Sequence, residues 1–266
     1  MTDKSLMNRG LYISAAGAVV QMSRTDTIAN NLANVDTAGF KKDLAVFRAN
    51  QSAQVFRTKD TAVSTPLGSM TTAMPIGWLS NGAIHEMNVT NYEEGILKET
   101  NNPLDLAIVG DAFFTIETPQ GVRYTRNGSF TRSAGGELVT MDGYRVLGQN
   151  GPIGIADALE IDVNEEGTVF QDSVPVDTLK LALFPNKTVL NKTGNAFFMS
   201  DAVPEQPVQQ FAVRQGMLEG SNVSAIKEIL NLIEANRAYE LNARLIQVND
   251  TILGLAVTNV GRGTSQ

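Results

Sequence analysis

Asn30-Asn31-Leu32-Ala33-Asn34-Val35-Asp36-Thr37-Ala38-Gly39-Phe40-Lys41 is the stretch on which the reading of this chain turns. It closes a long periodic run. Upstream, Leu11, Ala15, Ala18, Met22, Thr25, Ala29 and Leu32 alternate spacings of four and three. That is a coiled-coil-type seam, and its small residues let another helix approach closely. A helix is predicted from Met7 to Asn34. The Asn and Asp residues then compete for backbone hydrogen bonds, and Gly39 tolerates a positive φ, so the helix stops there.

The far end of the chain repeats the plan. Ile226, Leu230, Ile233, Leu241, Leu245, Val248, Ile252 and Leu255 form one stripe between Asn222 and Thr258, with a stutter between Ile233 and Leu241. Ser221, Asn222 and Ser224 all offer N-cap chemistry. A helix of about 37 residues spans roughly 55 Å. Between the two ends the pattern changes. Residues 49–83 are rich in Ser, Thr, Gln and Ala and lack periodicity, with Pro66-Leu67-Gly68 and Pro75-Ile76-Gly77 as turn signals and Trp78 as a local anchor. They read as an extended connector.

From Asn102 onward short strand patterns are dense: Leu104–Val109, Ala112–Glu117, Val122–Thr125, Glu137–Thr140, Tyr144–Leu147, Leu159–Val163, Thr168–Gln171, Thr178–Phe184, Ala196–Met199 and about Val208–Val213. Val109-Gly110-Asp111, Asn127-Gly128, Gly135-Gly136 and Asp142-Gly143 punctuate them as turns. The fold class expected is α+β, with long N- and C-terminal amphipathic helices forming a coiled-coil-like assembly domain around a central, mainly antiparallel all-β domain. Its segments are 1–48 (N-terminal helix and the segment quoted above), 49–83 (connector), 84–215 (β domain) and 216–266 (C-terminal helix).

Chemistry is sparse. The net charge of −7 and the absence of a Lys/Arg stripe argue against nucleic-acid binding. No cysteine is present, which excludes disulfides, thiolate metal sites and Cys nucleophiles. The first nine residues lack an apolar h-region, so no secretory signal is expected there. The single His85 has no nucleophile motif beside it, and no phosphate-binding or zinc motif occurs. Glu93-Glu94 and Asp162, Glu165 and Glu166 sit at turn-like positions, unlike the paired carboxylates a glycosidase needs. Asp105, inside an apolar run, either accepts local hydrogen bonds or faces a neighbouring subunit. No catalytic residue, cofactor, metal or small-molecule substrate is expected. Periodicity alone leaves two readings open: the helices cap one ordinary domain, or they are assembly parts.

The quoted segment resembles the N-terminal signature of the bacterial flagellar rod and hook family. Gly95-Ile96-Leu97 with Asn101 to Ile108 resembles its central block, continued by Tyr124 to Phe130, Leu138-Val139 and Gly143 to Gly148. Gly216 to Val223 and Arg237-Ala238-Tyr239-Glu240 resemble its C-terminal block. The matches run in order along nearly the whole chain. Met7 to Tyr12 and Asp43 to Arg48 look more like the proximal rod member than the distal one, and a hook-type axial protein is generally longer. The resemblance implies a structural subunit of the basal-body rod, exported by the flagellar type III apparatus. Its partners would be copies of itself, other rod proteins and the rings around the rod. The implied assembly interface comprises Leu11, Ala15, Ala18, Met22, Asn30, Asn31, Leu32, Asn34, Gly39 and Phe40 at one end and Ile226, Leu230, Ile233, Leu241, Leu245, Val248 and Ile252 at the other.

A long helix with one apolar stripe is marginal on its own in water and gains its stability from packing. The two ends are therefore expected to be poorly ordered in the free monomer and to become helical on assembly. Amide hydrogen exchange on the monomer checks this, and full protection at both ends refutes it.

Overall fold

The structure is a computed structural model that describes residues 4–50, 53–56, 63–65, 68–70, 75–156, 160–194, 196–200 and 211–262. It separates into two compact units. The helical unit comprises Met1–Ala29, Leu44–Val89 and Lys227–Gln266; the central unit comprises Asn30–Asp43 and Thr90–Ile226. The fold is α+β, with a helix at each end and antiparallel sheets between them.

Helix α1 runs over Lys4–Ala33 and helix α2 over Ala225–Arg262. The chain between α1 and the central sheets forms β1 (Asp43–Ala49), β2 (Ala53–Phe56), β3 (Val63–Thr65), β4 (Gly68–Met70), β5 (Pro75–Leu79) and β6 (Ala83–Thr90). Their pairings are nested: β3 with β4, β2 with β5 and β1 with β6. Thus the described part of residues 49–83 folds back on itself as antiparallel ladder, a pattern its irregular hydrophobicity did not announce. Trp78, read from the sequence as a local anchor, is 72% exposed.

The central unit contains β7 (Leu97–Glu99), β8 (Leu106–Val109), β9 (Ala112–Thr118), β10 (Gly121–Thr125), β11 (Phe130–Arg132), β12 (Leu138–Thr140), β13 (Arg145–Val146), β14 (Ile161–Val163), β15 (Thr168–Gln171), β16 (Val174–Thr178), β17 (Leu181–Leu183), β18 (Asn191–Thr193), β19 (Phe197–Met199), β20 (Ala212–Gln215) and β21 (Met217–Glu219). Its largest sheet has the order β11-β12-β13-β9-β10-β19-β18, with β17 also on β9. Strand β9 is buried on both faces. Successive side chains on a strand point to opposite sides, so Ala112, Phe114 and Ile116 enter one core and Phe113 enters another. The second core is aromatic, with Phe113 edge-on to Phe198 at 5.5 Å and to Phe184 at 6.1 Å. The C-terminal block lies back on the central block: β21 pairs with β7 and β20 with β8.

Two turn readings change. Asn127-Gly128, expected as a hairpin turn, lies in the lead-in to β11. Leu106 N donates to the Gly128 carbonyl at 3.0 Å, and a Cβ on Gly128 would sit 1.6 Å from the Leu106 carbonyl oxygen. The glycine is required by that backbone approach. Conversely, β15 and β16 are joined by Asp172 (φ 48°) and Ser173 (φ 65°), a tight loop with no glycine to signal it. Asp105 takes its local alternative: it is buried, and its Oδ1 accepts from Asn102 Nδ2 at 3.1 Å.

Gly128→Ala is expected to cost at least about 3 kcal/mol, because the added methyl meets backbone that is itself held in a ladder. Urea unfolding followed by circular dichroism measures it; a loss below about 1 kcal/mol would remove the packing argument.

Candidate assembly interface

The segment 30–43 ends α1 and enters the central unit through side-chain amides. Asn31 grips Asp43 at both main-chain atoms: Nδ2 donates to Asp43 O at 2.8 Å and Oδ1 accepts from Asp43 N at 2.9 Å. Asn34 Nδ2 donates to Asn30 O at 2.8 Å, and its Oδ1 accepts from Thr37 Oγ1 at 3.2 Å. These are the helix-ending competitions expected of Asn. Asn30 itself is exposed and contributes only its carbonyl, while Asn31 and Asn34 are buried. Gly39 has φ 67°, and a Cβ there would lie 2.3 Å from Arg126 C. Phe40 is completely buried, with Lys192 Nζ 3.8 Å from its ring centroid.

Beneath this segment lies a buried charge cluster. Glu219 Oε1 accepts from Lys41 Nζ at 2.6 Å and from Gly95 N at 2.9 Å. Its Oε2 lies 3.4 Å from Arg126 Nη1. Its main-chain carbonyl accepts from Gly39 N at 2.7 Å. Lys41 also donates to Glu93 O at 2.7 Å, and Arg126 donates to the carbonyls of Ile108 and Gly110. The three charged side chains are each at most 2% exposed. Burial pulls the Lys41 and Arg126 cations below their ordinary values, and the neighbouring Glu219 carboxylate opposes this in both. Asn222 adds a further tie. Its Oδ1 accepts from Lys42 N at 2.7 Å, and its Nδ2 donates to Asn91 O at 2.9 Å and Glu93 O at 3.0 Å. None of Lys41, Arg126, Glu219 and Asn222 stood out in the sequence as a site residue. The one available signal was a charge set among apolar neighbours, as in Phe40-Lys41 and Leu218-Glu219.

The terminal helices show a different surface. Ile226, Leu230, Ile233, Leu241, Leu245, Val248 and Ile252 are 44–75% exposed, so the apolar stripe of α2 faces outward. In α1, Met22 is 59% exposed, while Leu11, Ala15, Ala18 and Leu32 are half-buried. The side of α1 turned to α2 lies one position earlier than the predicted seam. Gly10 faces Asn249 and Gly17 faces Asn242, and Arg24 approaches Glu234 at 3.8 Å. On α2 the contact lies one position after the stripe, at Asn242 and Asn249. At these two layers small and polar residues make the close approach; Val20 and Ile28 of α1 are buried, while the apolar stripe of α2 is exposed. Contiguous exposed apolar surface of this kind marks an interaction site. His85 sits edge-on to Phe47 at 5.7 Å, with Nε2 2.9 Å from Asn88 Oδ1.

Known proteins resemble this sequence along most of its length. The family model described as flagella basal body rod protein matches residues 11–41. The flagellar hook protein FlgE/F/G D1 domain matches residues 107–171, and the flagellar basal body rod FlgEFG protein C-terminal model matches residues 214–259. The flagellar basal-body rod protein FlgG of Borreliella burgdorferi is 36% identical over 277 residues, covering 94% of this chain and 98% of its own length. FlgG of Agrobacterium fabrum is 34% identical over 269 residues, covering 95% and 99%. FlgF of Rhizobium meliloti is 35% identical over 260 residues, covering 96% and 99%.

Glu219→Gln leaves two buried cations without their carboxylate and is expected to cost about 3–5 kcal/mol. Denaturant unfolding reads this directly, and a change under about 1 kcal/mol would show that the cluster does not hold the central unit together.

Proposed function

The chain belongs to the flagellar basal-body rod protein family, and from that premise we propose that it is a subunit of the proximal rod, polymerising along the axis through its two terminal helices to carry torque from motor to hook. As a rod-family protein it is a structural component of the flagellar basal body, in a family of structural rather than enzymatic proteins, and it assembles with other rod and axial proteins.

The observation that carries the assembly mechanism is the outward stripe of α2. Seven large apolar side chains at heptad-like spacing are exposed on one chain. A neighbouring copy that covered them would remove that surface from water, worth about 25 cal/mol per Å² of apolar area. A head-to-tail contact of this kind propagates as a helical array rather than closing into a dimer. In this reading the helices of neighbouring copies pack as a coiled-coil-like inner tube. Leu11, Ala15, Ala18, Met22 and Leu32 flank the stripe's partner surface. Asn30, Asn31, Asn34, Gly39 and Phe40 set the bend where the chain leaves the tube.

The proximal position is supported by Met7 to Tyr12 and Asp43 to Arg48. The similarity to proteins named FlgG favours the distal rod as the second reading. A chain with no cysteine suits passage in an unfolded state, which supports export by the flagellar type III apparatus into a periplasm-spanning rod. Contacts with ring proteins around the rod belong to the same proposal. Immunolabelling of purified basal bodies gives the axial position: label next to the motor supports the proximal reading, and label next to the hook replaces it with the distal one.

Leu230 and Leu245 are exposed in the single chain, so Leu230→Asp and Leu245→Asp should change its stability by no more than about 0.5 kcal/mol. Incorporation into rods and swimming should nevertheless be lost. Motile cells carrying either variant in their rods would show that the stripe is not the assembly seam.

A further inference from the structure

Both ends of the α1–α2 contact contain residues that form helices poorly. Gly10 and Gly17 lie in the interior of α1, and Asn242 and Asn249 in the interior of α2. They are placed in matching pairs seven residues apart. A Cβ on Gly17 would lie 2.8 Å from Asn242 Oδ1 and 3.1 Å from its Cγ; one on Gly10 would lie 3.3 Å from Asn249 Oδ1. Asn242 Nδ2 donates to Ala238 O, and Asn249 Nδ2 donates to Leu245 O, both at 2.9 Å. Each amide group is thereby tied back to its own helix, and its oxygen is presented to the bare Cα of a glycine opposite. As 10 advances to 17, 249 retreats to 242, so the pair is antiparallel.

From this geometry we infer that the two Gly–Asn layers are a register lock: they fix the axial position of α1 on α2 and, with it, the rotation that turns the apolar stripe of α2 outward. A heptad-spaced contact made only of small apolar residues tolerates a slip of seven, because every layer then meets an equivalent one. A polar side chain inside the contact removes that degeneracy. Here a slip of seven that sets Asn249 opposite Gly17 also sets Asn242 opposite Arg24, where a long side chain occupies the space a glycine leaves free. Only one register puts both amides over glycines. The lock depends on the helix pair alone and stands or falls separately from the rod assignment.

The absence of cysteine makes the register directly readable in the full-length chain. A Cβ on Gly10 falls 3.7 Å from Asn249 Cγ, so cysteines introduced at the two positions face each other. The pair G10C/N249C replaces one layer and reports whether the remaining Gly17–Asn242 layer holds the native register, and G10C/A256C reports a slip of one heptad. Under mild oxidation at low concentration, the native pair is expected to close about tenfold faster than the slipped one. Adding Gly17→Ala should cut that preference at least about fivefold, the reverse of the gain a Gly→Ala change gives in an open helix. Gly254→Ala, with nothing within 4 Å of its Cβ, should leave it unchanged. Adding Asn242→Gly to Gly17→Ala moves the notch to α2 and should restore the preference. The inference is overturned if Gly17→Ala leaves the ratio intact, if Asn242→Gly fails to restore it, or if neither pair closes in the otherwise unaltered chain.

Discussion

A single carboxylate, that of Glu219, sits between two cations where water cannot reach any of the three. Placing ions in such a site is costly, and the cost is recovered only when each finds its partners in good geometry. Here the partners come from every part of the central unit. Lys41 follows the end of α1, Gly95 precedes β7, Arg126 follows β10, and Glu219 closes β21. The main chain joins in through Gly39. Apolar cores elsewhere in the unit tolerate local repacking, whereas this cluster has one satisfactory arrangement. It therefore fixes where the 30–43 segment lies against the sheets of the central unit. Asn31 and Asn222 extend the same logic with neutral amides, each satisfying main-chain groups from separate stretches.

The helical unit follows an opposite principle. Its closest helix–helix layers are made by glycine and asparagine, it buries Val20 and Ile28, and the apolar stripe of α2 is left exposed. A helix that hid its leucines within the chain would be more stable alone and less useful as a building piece. Division of labour between a locked central unit and an unsatisfied helical one suits a protein whose end state is an array.

Much of this plan was legible in the sequence. Two long helices were visible from three-and-four spacing, and most central strands from alternation between Gly-containing turns. The contact between α1 and α2 lies one position away from each predicted apolar stripe. Hydrophobicity marks the face that gains most from burial by any partner, and it does not tell an intrachain partner from another copy. The ladder over 49–83 was hidden because its strands carry little apolar alternation. Lys41, Arg126 and Glu219 were invisible as a group, because a charge far along the chain gives no sign of the one it will meet. Asn34 was readable because its role is local, within a few residues of the helix end, whereas the grip of Asn31 on Asp43 reaches twelve positions along the chain.

Lys41 and Glu219 are separated by 178 positions. As the chain is made from its N-terminus, the cation is available long before the anion. Until residue 219 arrives, enclosing Lys41 and Arg126 leaves both without their counterion, so intermediate lengths have no dry, closed form to settle into. The last strand of the central unit is thus also its latch. A polypeptide whose latch lies near the trailing end stays supple through most of its emergence and sets hard only when nearly all of it is present.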